Sequence, residues 1–202
     1  MTAPILARNA PSRPALPVLG DVRLPLARLH EVCGPARHVL AMLVAAAMRG
    51  PVFWIAPAGR ADGLNPEGMV PFTAPQRFTF VSPDRPEDVL WTLEETLRSG
   101  VVPLVVGDLP APPPLTPVRR LHLAAEAGAA EGGQDMPLGL VLTPGDGGAP
   151  GVETRWHMAP AHAAQARRWT LERRRARTAP PRRWCLSGRP GNWRLTPDAD
   201  MG

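Results

Sequence analysis

From Leu29 to Leu142 this chain alternates short apolar runs with segments whose apolar residues recur at helical spacing, and that alternation restricts the fold more than any other feature. Leu29–Cys33 is extended and meets Gly34-Pro35. Behind it Val39, Leu40, Leu43, Val44 and Ala47 predict a helix buried on most sides, stopped by Gly50-Pro51. Val52–Ile55 and Phe78–Val81 read as strands. Ser82-Pro83-Asp84 and Pro86 supply turn and helix-start chemistry, and Val89, Leu90, Leu93 and Leu97 then mark one helical face. Glu94 and Arg98 pair at i,i+4 on that helix, and Gly100 follows it. Val102–Val106 reads as a buried strand with an irregular start at Pro103. Thr116-Pro117 opens another helix, lined by Val118, Leu121, His122 and Ala125 and ended by Gly128. Leu138–Leu142 is a further strand. Strands and helices in alternation predict an α/β fold with a mostly parallel sheet flanked by helices.

Beyond Gly145 the period changes to two. Thr154, Trp156 and Met158 alternate with Glu153, Arg155 and His157, and Arg168–Glu172 and Arg182–Leu186 alternate in part. These segments predict antiparallel strands added to the end of the parallel sheet. At the other end, residues 1–25 hold five prolines and read as a flexible arm. The core then spans 26–186, with basic strands over 153–186, and 187–202 reads as a disordered tail.

Pro and Gly together contribute 27 and 19 residues of the 202, so loops must be extensive. The longest apolar run, around Val39–Met48, is too short for a bilayer, and the N-terminus lacks the pattern of a secretory leader. Cys33 and Cys185 form neither a metal-ligand pattern nor a disulfide framework, so a cytoplasmic location is expected. All 23 basic residues are arginine, which excludes any mechanism that needs a lysine. Residues 1–160 hold 13 arginines against 15 acids, a net of −2, whereas 161–202 hold 10 against 3, a net of +7. The basic character belongs to the C-terminal fifth.

From Leu29 to about Leu186 the chain resembles the RecA core, and more closely the RecA-like ImuA family. The segments that carry the resemblance are LHEVCGPARHVLAMLVAAA at 29–47, GPVFWIAP at 50–57, LNPEGM at 64–69 and FTFVSPDRPEDVLWTLEETLRSG at 78–100. VVGDL at 105–109, LTPVRRLHLAAEAG at 115–128 and ETRWHM at 153–158 complete the set. The resemblance implies a part in SOS-induced mutagenesis by translesion DNA synthesis. It implies an ImuB-type, polymerase-like partner, with RecA and single-stranded DNA as further expected partners.

A phosphate loop works through several inward-pointing N–H groups, a lysine for the terminal phosphates and a hydroxyl for magnesium. The corresponding stretch, GPARH, has one glycine, Gly34. Pro35 offers no N–H. Neither Arg37 nor His38 carries the hydroxyl. The acid expected after the strand LVV is replaced by Gly107, with Asp108 one residue along, a displacement that turns a side chain to the other face unless a bulge restores it. Where a water-activating carboxylate belongs, after WIAP, stands Ala58. Gly34, Pro35, Arg37 and Asp108 therefore read as a vestigial nucleotide site, with no catalysis, cofactor or metal expected.

Arg167, Arg168, Arg173, Arg174, Arg175, Arg177, Arg182 and Arg183 surround a single acid, Glu172, and interleave with Trp169 and Trp184. Arginine grips phosphate and tryptophan stacks on bases, so this run is the candidate surface for a protein partner or nucleic acid. Strand alternation favours packing for the tryptophans. Arg119, Arg120 and Trp193 are secondary candidates for partner contact. The expected function is a non-catalytic RecA-like scaffold. The competing readings are a DNA-dependent ATPase or recombinase with a divergent nucleotide site, and a cell-division inhibitor of SulA type.

Overall fold

A computed structural model describes residues 14–59, 64–131, 136–164 and 166–198. A hairpin, β1 (Ala15–Leu19) and β2 (Val22–Pro25), comes first. There follow β3 (Leu29–Cys33), α1 (Arg37–Ala47), β4 (Val52–Ile55), the one-turn helix α2 (Pro66–Met69) and β5 (Phe78–Val81). Next are α3 (Pro86–Arg98), β6 (Leu104–Asp108), α4 (Leu115–Glu131) and β7 (Leu138–Thr143). The chain closes with β8 (Thr154–Pro160), β9 (Arg168–Ala176), β10 (Arg182–Arg189) and β11 (Asn192–Pro197). The last nine strands form one sheet in the order β11-β10-β9-β8-β3-β7-β6-β4-β5.

From β8 to β5 all neighbours run parallel, while β9, β10 and β11 are antiparallel additions. The fold is α/β, with a RecA-like, mostly parallel sheet flanked by helices. One expectation needs correction. The strand at Glu153–Met158 is not antiparallel to the core, because β8 pairs in parallel with β3 and the reversal begins at β9. The chain returns along the sheet through 144–153 before β8 begins, so β8 enters in the same direction as β3 and β7.

Residues of β3, β6 and β7 are buried throughout, as befits strands covered on both faces. On one face α1 packs with the hairpin and the loop around Phe72. Leu40, Val44, Trp54, Val106, Trp156, Trp169 and Trp184 meet there. On the other face α3 and α4 cover Leu29, Ile55, Val105 and Val141. Trp184 is fully buried, and hiding its ring from water contributes on the order of 4–6 kcal/mol before entropy is charged against it. The carbonyls at the end of α1 are met by one guanidinium. Arg77 donates to Ala45, Met48 and Gly50 oxygens at 2.7, 2.7 and 2.8 Å.

Gly128 does not end α4, which runs on to Glu131. A β-carbon there would lie 2.1 Å from the Leu97 carbonyl oxygen, so the glycine serves the close approach of α3 and α4. The start of α4 is likewise one residue earlier than Thr116, with Pro117 in the first turn, where no N–H is missed. The arm and tail are also corrected. Within 1–25, residues 15–25 form the hairpin, because Pro17 sits at a bulge and Pro25 at a strand end, where no ladder donor is needed. Within 187–202, β10 continues to Arg189 and a Pro190-Gly191 turn leads into β11. Residues 1–13 of the expected arm and 199–202 of the expected tail lie outside the described residues.

Candidate functional site

The stretch corresponding to a phosphate loop leaves β3 at Cys33 and enters α1 at Arg37. Its turn is made by Gly34 at φ +91°, and it is pressed onto β8. A β-carbon on Gly34 would meet the Met158 carbonyl oxygen at 2.5 Å and His157 Nε2 at 2.7 Å. The Ala36 N–H donates to that same Met158 oxygen at 2.9 Å. Pro35 has no N–H, and the Arg37 N–H turns back to the Gly34 oxygen at 3.3 Å. The N–H groups of Ala36, Arg37 and Val39, which would help to cradle an anion, are occupied by the protein's own carbonyls.

Asp108 at the end of β6 faces this loop. The pairing of β6 with β7 is regular, so Val106 and Asp108 share the α1 face, and a β-carbon on Gly107 would run into Leu93 of α3 at 2.5 Å. The expectation that Asp108 turns away without a bulge is therefore corrected: the residue one place along is the one with the right parity. Its carboxylate is nonetheless engaged. His38 Nε2 lies 2.9 Å from one oxygen and Arg37 3.7 Å from the other, beneath a side-chain exposure of 5 %. Gly34, Pro35, Arg37 and Asp108 do converge, as a closed polar junction between loop, helix and strand.

A second anion centre escaped sequence reading. Glu31 in β3 is fully buried, and its carboxylate is wrapped by the Gly-rich loop at 145–148. One oxygen accepts from Thr143 Oγ1 at 2.8 Å, the Gly148 N–H at 2.9 Å and the Ala149 N–H at 3.1 Å. The other accepts from Arg155 Nε and from the same Ala149 N–H. This loop is a backbone nest whose anion is supplied by the chain itself. An acid in the otherwise apolar LHEVC run, with GDGG downstream, was the available signal.

The eight candidate arginines do not form one patch, because strand alternation and the hairpin ends divide them. Arg173 and Arg182 lie on the hairpin side. Arg173 stands over the rings of Trp156 and Trp184 at 5.8 and 5.4 Å and donates to the Pro180 oxygen, while Arg182 pairs with Asp21. Burial and the nearby Arg182 charge lower the Arg173 pKa. On the opposite face Arg174 and Arg183 clamp Glu172, and Arg174 also reaches Asp146 at 2.8 Å. The paired guanidiniums outweigh partial burial and hold the Glu172 carboxyl below its usual range. Arg175 is exposed, and Arg177 lies 3.6 Å from Glu153. Arg167 and Arg168 are exposed at the far end of β9.

Among the secondary candidates, Arg120 ties α4 to α3 through Glu94 at 2.7 Å and Arg119 is exposed. Trp193 is used internally: it stacks on Phe72 at 4.9 Å, meets Trp169 edge-on and donates to the Pro71 oxygen at 3.1 Å. Trp169 and Trp184 are buried, so packing accounts for both rings.

A cleft of about 620 Å³ lies between the hairpin and the end of β9, lined by Arg23, Arg28, Arg173 and Arg177 with Asp21 and Glu153. Its wall includes Thr154, which belongs to a buried chain of hydrogen bonds. His30 Nε2 donates to the Pro25 oxygen at 2.9 Å, which leaves Nδ1 to accept from Thr154 Oγ1 at 2.7 Å. Trp156 Nε1 in turn donates to that hydroxyl at 2.7 Å. Burial drives the His30 pKa down to about 4, so the ring is neutral and pins β2 to the sheet.

Among the described residues no helix is long and apolar enough to cross a membrane. Compared with family models and with curated proteins, the sequence matches none in either set.

Proposed function

We propose that this chain is a non-hydrolysing RecA-like accessory protein of the ImuA type, acting as a scaffold in SOS-induced translesion synthesis. Its principal partner in this reading is an ImuB-type, polymerase-like protein, with RecA as a second. The observation that supports it most is the Ala36 N–H spent on the Met158 oxygen, at the point where a bound triphosphate would need it. GPARH holds neither the lysine that neutralises terminal phosphates nor the hydroxyl that joins magnesium, and Arg37 lies 3.7 Å from Asp108. Removing well-placed charge-stabilising donors costs roughly 3–4 kcal/mol each in transition-state stabilisation, and here several are missing together.

The ATPase alternative draws on Asp108, which has the parity a metal-bound carboxylate would need. His38 and Arg37 already hold its oxygens, which favours a structural role. The deciding experiment is calorimetric titration with magnesium ATP, together with turnover assays in the presence and absence of single-stranded DNA. No binding heat and no turnover are expected. Turnover that disappears on Gly34→Ala or Asp108→Asn substitution would overturn the scaffold reading. Partner binding is tested by co-purification with an ImuB-type protein before and after Arg175→Ala and Arg177→Ala substitution, both exposed positions.

A further inference from the structure

The antiparallel extension has one face under the hairpin and one face on which no described helix packs. Cross-strand pairing defines what that open face displays. Arg168 of β9, Ser187 of β10 and Arg194 of β11 stand in one row. The next row is Ala159, Thr170, Cys185 and Thr196. Arg189 has the parity of Ser187 and stands at the end of β10, opposite Asn192. Adjacent strands are spaced about 4.8 Å apart, so the Cα atoms of Arg168 and Arg194 flank Ser187 across about 10 Å.

We infer that this open face of β9–β11, led by Arg168, Arg189 and Arg194 around Ser187, binds the phosphate backbone of nucleic acid without reading its sequence. The charge is available. All three arginines are exposed, as is Arg167 at the rim, and among the described residues none of the four has a carboxylate within ion-pair distance. The shallow cleft between Arg167, Arg168, Ser187 and Arg189 contains no acid. Guanidinium groups and a hydroxyl are the donors that phosphate oxygens take. The next row is small and polar, with no apolar pocket to anchor a peptide side chain, which favours a phosphate backbone over a protein segment. No exposed ring stands there either, since Trp169 and Trp193 pack on the other face, so base stacking contributes nothing. Single strands and duplex are therefore bound alike. This inference takes its setting from the scaffold reading, but it fails or stands without regard to ATP turnover.

The protein carries its own reporter. Cys185 lies in the row beside Ser187 and is partly exposed, whereas Cys33 is buried. The experiment measures binding of a labelled single-stranded oligonucleotide, and of the matching duplex, to the full chain by anisotropy across a salt series. It also follows the rate of Cys185 alkylation with and without the oligonucleotide. Both nucleic acids are expected to bind, with affinity falling linearly on a log–log salt plot. The Arg168→Ala, Arg189→Ala, Arg194→Ala triple variant is expected to lose on the order of tenfold or more in affinity and about three units of salt slope. Oligonucleotide should slow Cys185 alkylation several-fold. Circular dichroism confirms that the variant is folded, and the matching triple lysine variant should recover part of the salt slope. Unchanged affinity in the folded triple variant, or an alkylation rate indifferent to oligonucleotide, overturns the inference. Protection of Cys185 by poly-glutamate but not by oligonucleotide overturns it in favour of an acidic protein partner.

Discussion

Glu31 and Arg155 are direct cross-strand neighbours on β3 and β8, and the carboxylate in that pair is sealed from water while three backbone and hydroxyl donors complete its shell. The pair joins the loop at 145–148 to the centre of the sheet. It is a structural anion site in a position where sequence alone shows only a charged residue in a strand.

Replacing Glu31 by Gln should therefore destabilise the fold by about 3–5 kcal/mol, because Arg155 loses its counter-charge and one oxygen becomes a donor facing donors. Denaturant unfolding measures it through the shift in midpoint. A change below about 1 kcal/mol would show that the network is not under strain when its charge is removed.

Acid should weaken the protein through His30. Its folded pKa of about 4 lies below the ordinary histidine value of 6.5, so the unfolded chain takes up the proton first as pH falls. Stability from this group is fully present above pH 6.5 and is lost down to about pH 4. At 1.36 kcal/mol per pH unit the total is ~3 kcal/mol. A His30→Gln variant should show a flatter stability profile in that window, and equal slopes for the two proteins would refute the assignment.

Gly128→Ala should destabilise although alanine favours helix. The gain in helix propensity is about 1 kcal/mol, while forcing a methyl against the Leu97 carbonyl costs ~1–3 kcal/mol and spreads α3 from α4. Gly68→Ala in α2 is the control, since a β-carbon there meets nothing within 4 Å. Thermal melting should separate the two variants.

The two thiols should differ sharply. Burial and the nearby Glu31 carboxylate push the Cys33 pKa up to about 11, and its thiol donates to the Trp156 oxygen. A thiol reagent should titrate one group in the folded protein and two after denaturation. Two fast groups under native conditions would contradict the packing of Cys33.

Much of the parallel core was legible because its strands are unbroken apolar runs and its helices carry clear periodicity, as at Val39–Ala47 and Val89–Leu97. Legibility failed where proline was read as a breaker without regard to its position. Leu16, Val22 and Leu24 point inward, and Gly20-Asp21 between them is a hairpin turn signal, yet the five prolines of the arm masked it. Pro190-Gly191 likewise marked a turn between strands, not a tail. Of the candidate site, GPARH and Asp108 did converge. The eight arginines did not, because alternation along β9 and β10 sends neighbours to opposite faces, and no local pattern reveals which carboxylate each will find. Trp193 reads as a candidate for partner contact because Phe72, the ring it stacks on, is remote in sequence.

The β1–β2 hairpin is closed by the described strands that lie farthest from it in sequence. Leu195 of β11 closes over Gly20, and Arg182 holds Asp21 across 161 positions of chain. Leu16, Val22 and Leu24 are covered on one side by α1, close in sequence, but the turn at Gly20-Asp21 is closed only by residues of β10 and β11. A closure that joins such distant segments is the slow step of folding, and it leaves the hairpin turn as the part of the fold that locks last.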